Sequence, residues 1–136
     1  ARCADVVLLN SEEASLLGDG DQGFAVTQIL DGGCSWVVMK RGEQGAVAFS
    51  HDKSITVSSV RPCYVTDPTG AGDAFAGGLV SALAGSGTHL LDMEVAMGRA
   101  AVMGSLAVES FSIDRLLEMT TDEAASRAHE VPVRVG

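Results

Sequence analysis

Hydrophobic and polar positions change period several times along this chain, and each change marks an element. Val6-Val7-Leu8-Leu9 is a continuous apolar run, as expected of a short strand buried on both faces of a parallel sheet. Asn10-Ser11-Glu12-Glu13 then opens a short helix that continues through Leu17 and stops at Gly18. A second helix is predicted from about Gly23 to Leu30, ending at Gly32-Gly33. Trp36-Val37-Val38-Met39-Lys40 reads as the next strand, and Arg41-Gly42-Glu43-Gln44-Gly45 as the turn behind it. Ala46 to Phe49 and Ile55 to Val60 follow as two β-segments joined by a polar stretch, a hairpin laid at the sheet edge. From there the remainder reads as helical. Helices are predicted from about Gly72 to Ala84, Leu91 to Val108, Ile113 to Met119 and Thr121 to Glu130. Gly85-Ser86-Gly87 breaks the first of these, Ser112 or Asp114 starts the third, and Thr121 or Asp122 caps the last. Alternating strands and helices at the front, helices behind and no internal repeat argue for an α/β domain.

Size and composition narrow this picture. With 136 residues there is room for one domain with a real core, and not for two. Only 4% of residues are aromatic, so core filling falls to Val, Leu, Ala, Ile and Met, with Met93, Met97 and Met103 among the fillers. A formal net charge of -9 argues against nucleic acid as a partner, because that binding needs a basic face. A phosphate ligand stays open, since the N–H groups at a helix N-terminus hold phosphate without net positive charge. Cys3, Cys34 and Cys63 lack a Cys-x-x-Cys pair, which fits reduced thiols in a cytoplasmic chain. His51, His89 and His129 share no spacing with other metal ligands. No apolar run approaches membrane-spanning length, so no membrane association is expected. Ala1 stands almost inside the first strand, which reads as the start of a fragment.

Chemistry concentrates in Gly70-Ala71-Gly72-Asp73-Ala74-Phe75-Ala76-Gly77-Gly78. A Walker A loop would need a Lys after its last glycine, and none follows. A dinucleotide fingerprint would need Gly or Ala where Phe75 stands. The remaining functional reading is an anion hole with a built-in base. Glycines at 70 and 72 remove side chains that would block a phosphate, and the amides of residues 70 to 73 sit at a helix N-terminus. Asp73, in the first turn, can aim its carboxylate at a hydroxyl brought beside that phosphate. The competing reading is a capped buried helix, with Thr69 as N-cap and Asp73 complementing the dipole.

The run Asp67-Pro68-Thr69-Gly70-Ala71-Gly72-Asp73-Ala74-Phe75 resembles the C-terminal signature of the PfkB, or ribokinase-like, carbohydrate kinases. The resemblance extends from Asp5 to about Leu117 with motifs in family order, and matches only the second half of such a kinase. It implies an α/β fold, a ribokinase-like three-layer sandwich with a mostly parallel sheet, lacking the N-terminal sugar-binding part and lid. It implies that Asp73 is the catalytic base, and that Gly70, Ala71 and Gly72 with it form the anion hole. Asp67 and Thr69 would help bind a monovalent cation, usually potassium, although Pro68 replaces the Thr common between them.

Three further stretches match the family's pattern, and each has a plainer alternative. Asn10 and Glu13 have the Asn-x-x-Glu spacing that places both on one helical face, where they form either a capping box or a water-mediated magnesium site. Lys40-Arg41-Gly42-Glu43-Gln44-Gly45 resembles the family's nucleotide-contacting turn, which would bring Lys40, Gly42 and Gly45 to the phosphates and ribose, and is otherwise an ordinary β-turn. Ala100 to Ser112 resembles the wall of the adenine pocket, with Ala101 and Gly104 leaving room for the base, and is otherwise a well-packed helix pair.

The resemblance implies ATP-dependent phosphorylation of a sugar-like hydroxyl with Mg2+ and K+, the half alone being inactive. A nucleoside is the other acceptor, and a homodimer of the longer protein is left open. A rival from another class is a non-catalytic nucleotide- or partner-binding module that keeps the fold. The intact Asp73 speaks against it, because a binding-only descendant needs no base.

Overall fold

The computed structural model describes residues 4–61, 69–86, 89–109 and 114–136. Strand β1, Val6–Asn10, runs parallel to β2, Trp36–Lys40, with Val6 opposite Trp36 and Asn10 opposite Lys40. A parallel pair needs a crossover, which helices α1 (Ser11–Leu17) and α2 (Gln22–Asp31) supply. A single 3-10 turn, Gly42–Gln44, then reverses the chain into β3, Ala46–Phe49, antiparallel to β2. Strand β4, Ser54–Val57, returns antiparallel to β3, and β5, Val133–Val135, completes the order β1-β2-β3-β4-β5.

The pleat sends alternate residues to two separate cores. Val6, Leu8, Trp36, Val38, Ala46, Ala48, Ile55 and Val57 join α3 (Ala71–Ser86) and α4 (Leu90–Ala107) through Phe75, Leu79, Met97 and Leu106. Val7, Leu9, Val37 and Met39 pack with Ala14, Val26 and Leu30 of α1 and α2 on the other face. Helices on both sides of one sheet make the three layers expected. Met93 and Met97 are fully buried, and each such side chain contributes roughly 1.5–3 kcal/mol by leaving water.

Helices α3 and α4 approach backbone to backbone. A Cβ on Gly78 would lie 3.1 Å from the Ala100 Cα and 2.8 Å from the Met103 Cγ. Behind α4 come α5 (Asp114–Glu118) and α6 (Thr121–His129). Arg127 of α6 donates from Nη1 to the buried Glu109 Oε1 at 3.1 Å and from Nη2 to Glu123 Oε1 at 3.2 Å. That pairing offsets the cost of carrying a carboxylate into the interior at the end of α4.

Several expectations need correction. The sheet is mixed, with one parallel and three antiparallel pairings, because the short links from β2 to β3 and β3 to β4 cannot cross over. The β3–β4 hairpin is not at the edge, since β5 covers β4. Strand β5 lies in the region expected to be helical; three residues are too few to show a period, and pairing with β4 is what orders them. The second β-segment of the hairpin ends at Val57 and not at Val60. Thr120, not Thr121 or Asp122, caps α6, accepting from the Glu123 N–H at 3.2 Å. Ser112 and Ile113, expected near the start of α5, lie outside the described residues, as do Cys3 and Cys63. Cys34 is a buried free thiol whose Sγ donates to the Trp36 carbonyl.

Candidate active site

The ends of β1 and β2 build one side of the site. Asn10 closes β1 and also caps α1, so the strand passes directly into the helix. Its Oδ1 accepts from the Glu13 N–H at 2.8 Å, and its own N–H donates to Glu13 Oε2 at 2.7 Å. The capping box is therefore formed in full, satisfying two backbone donors reciprocally. Next to it, Ser11 donates its hydroxyl to the Lys40 carbonyl at 3.3 Å, pinning the start of α1 to the end of β2. Carboxyl ends of parallel strands are where open α/β sheets bind their ligands.

The first turn of α3 builds the other side. Gly70 has φ +84, a conformation that L side chains rarely adopt, and no atom stands within 4 Å of where its Cβ would be. Its carbonyl accepts the first helical bond, from the Ala74 N–H at 2.9 Å. The amides of Ala71, Gly72 and Asp73 precede that donor and so have no partner within the helix. They point out of the positive end of a 16-residue helix. Gly70, and not Thr69, therefore holds the position before the helix; Thr69 is exposed in the turn.

Lys40 joins the two sides. Its Nζ donates to the Gly72 carbonyl at 3.5 Å, and a Cβ on Gly72 would come within 3.0 Å of that ammonium. Glycine at 72 thus leaves the space that the lysine tip occupies. Asp73 is exposed, and its carboxylate makes no hydrogen bond or ion pair among the described residues. The first turn of α3 thus carries three amides without a helical partner, the Asp73 carboxylate and, against its Gly72 carbonyl, the Lys40 ammonium. Such a set can hold an anion and accept a proton next to it.

Other predicted residues fall in different surroundings. Gly42 has φ +57 with open space around it, at the exposed turn after Lys40. Gly45 is constrained by the protein itself, because a Cβ there would lie 2.1 Å from the Val57 carbonyl oxygen. Ala101 is 5% exposed within the core, and its small side chain serves the packing of α4. Gly104 supports the site from behind, since its Cβ would stand 3.2 Å from the Ala71 carbonyl and 3.5 Å from the Phe75 Cβ. Asp67 lies outside the described residues. No cluster of three or more His, Cys, Asp or Glu gathers among the described residues. Sequence reasoning missed Ser11 as a tie between α1 and β2; a lone hydroxyl at a helix start carries no signal of what it will reach.

The model for pfkB family carbohydrate kinases matches residues 1–118 of this chain. A cytidine kinase from Thermococcus kodakarensis is 33% identical over 79 residues, which are 57% of this chain and 28% of that protein. A fructokinase from Rhizobium leguminosarum is 33% identical over 81 residues, 59% of this chain and 24% of that one. The structure of a nucleoside kinase from Burkholderia thailandensis in complex with inosine superposes with a TM-score of 0.77 at 28% identity, covering 93% of this chain and 39% of that one. This chain therefore spans well under half the length of each of these three proteins.

Proposed function

Because the chain belongs to the pfkB family of carbohydrate kinases, we propose that it carries the phosphate-handling part of an enzyme that transfers the γ-phosphoryl group of ATP to a hydroxyl of a sugar or nucleoside. The observation that supports this most directly is the meeting of Lys40 with the first turn of α3, where the Ala71, Gly72 and Asp73 amides open beside the Asp73 carboxylate. In this reading the amides and the Lys40 ammonium hold the phosphate oxygens as negative charge shifts among them. The acceptor oxygen attacks phosphorus in line, the bond to the bridging oxygen of ADP breaks, and Asp73 takes the hydroxyl proton.

Magnesium fits the donor chemistry of Asn10 and Glu13 only through water. Each lends one oxygen to the capping box, which leaves one carboxylate oxygen on a solvent-exposed helix start. There the ion would neutralise phosphate charge. A potassium ion beside Thr69 and Asp67 would stabilise the turn that carries the amides. The turn at Gly42 would meet the ribose and phosphates, and the α4 end near Gly104 would lie towards the adenine.

Relatives named for fructose and for cytidine, and a structure holding inosine, define the acceptors to try. The test is ADP release by the full-length protein given ATP and Mg2+ with fructose, cytidine or inosine. Release that depends on one acceptor is expected. Tight ATP binding with no acceptor-dependent release across sugars and nucleosides would instead favour a binding-only module.

A further inference from the structure

On the opposite face of the sheet from α3, a cavity of about 540 Å³ opens between α2, the end of β2 and the β3–β4 hairpin. Its floor is apolar, formed by Val26, Leu30, Met39 and Phe49, of which the first three are buried. Its rim carries Arg41 and His51. Neither makes a side-chain hydrogen bond or ion pair among the described residues, although the chain has twice as many acidic as basic residues, 18 against 9. The other hydroxyls of the rim are committed, Thr27 to the Gly23 carbonyl and Ser50 to Lys53. Gln22, also in the lining, commits its Nε2 to the Ser11 carbonyl and the Ser15 hydroxyl. The binding capacity left is therefore an apolar floor, the Gln22 side-chain carbonyl, the His51 imidazole and the Arg41 guanidinium as the one full positive charge among the lining residues.

We infer that this cavity is a second small-molecule site, for an organic anion with an apolar body and a phosphate or carboxylate at one end. Its volume is that of an ordinary small-molecule pocket. The apolar body would displace water from the partly exposed Phe49 and from the narrow strips of Val26, Leu30 and Met39 left open. The anionic end would meet the planar guanidinium of Arg41 in paired, charge-assisted hydrogen bonds. Its position separates it from the candidate active site. Lys40 turns toward Gly72 on one face of β2, whereas Arg41, the next residue, lines the cavity on the other. The inference does not depend on the phosphoryl-transfer reading.

The experiment is an amide NMR titration of the isotope-labelled protein with phenyl phosphate, and separately with inorganic phosphate and phenol. Phenyl phosphate is expected to shift the amides of residues 22–30 and 49–51 saturably, with the other two probes much weaker. Arg41→Gln keeps the side-chain stem and should weaken phenyl phosphate by about ten-fold or more. Thr27→Trp, on the exposed side of α2, should fill the cavity and abolish those shifts. Three results would overturn the inference: no saturation at these amides, affinity unchanged in Arg41→Gln, or shifts confined to residues 69–73.

Discussion

Gly45→Ala separates two reasons for a glycine at that position. If Gly45 serves a nucleotide, an added methyl group should alter binding while leaving the fold intact. The structure predicts the reverse. Gly45 has φ 88 and ψ -140, where an L residue carries strain of about 1–3 kcal/mol. Its new Cβ would also lie 2.1 Å from the Val57 oxygen, 2.8 Å from the Ser59 nitrogen and 2.9 Å from the Ser58 carbonyl carbon. All three are backbone atoms, and Val57 is fully buried in β4, so relief requires the strand to move. Displacing packed structure adds roughly 1–3 kcal/mol. The sum, about 2–6 kcal/mol, is a large part of the ~5–15 kcal/mol that holds a domain folded. Gly42→Ala is the control: its φ of +57 is also left-handed, yet nothing lies within 4 Å, so the cost should be about 1–2 kcal/mol. Urea unfolding followed by circular dichroism compares the two. Equal midpoints for both variants would refute the reasoning.

Three other substitutions test neighbouring parts of the account. Glu13→Gln can still close the capping box, so stability should change by less than about 0.5 kcal/mol while half-maximal activity requires several-fold more Mg2+; an unchanged Mg2+ titration would leave the pair as a cap alone. Lys40→Met should raise the KM for ATP by about ten-fold or more, the loss of one charged hydrogen bond to phosphate, as initial rates would register. Gly78→Ala should cost about 1–3 kcal/mol in thermal unfolding, because its Cβ meets the Ala100 backbone at 3.1 Å.

Much of this molecule is legible in the sequence where local and global demands coincide. Val6 to Leu9 must be apolar on both faces because two helical layers cover it, and the unbroken apolar run itself displays that demand. Asn10 and Glu13 are readable because a capping box has fixed spacing, although spacing cannot say whether the same pair also meets a metal. The helix start at Gly70 and Asp73 is readable because glycine and an acidic first turn mark such a start, although the pattern alone cannot say whether a phosphate binds there. The rest depends on contacts between distant residues. Nothing local tells that Val133–Val135 will pair with β4, that Gly45 will press against Val57, or that Arg41 will line a cavity while Lys40 turns to α3. Strand direction is hidden for a similar reason, since an apolar run fits a parallel or an antiparallel neighbour equally well.

The central claim is that Asp73 removes a proton from the acceptor hydroxyl while the neighbouring amides hold phosphate. Asp73→Asn preserves size and leaves those amides in place. Turnover and ATP affinity measured together on that variant of the full-length protein test the claim most directly. The account predicts that turnover falls by about a hundred-fold or more, with ATP affinity within about two-fold of the parent. Turnover near that of the parent, with ATP bound equally well, would contradict it.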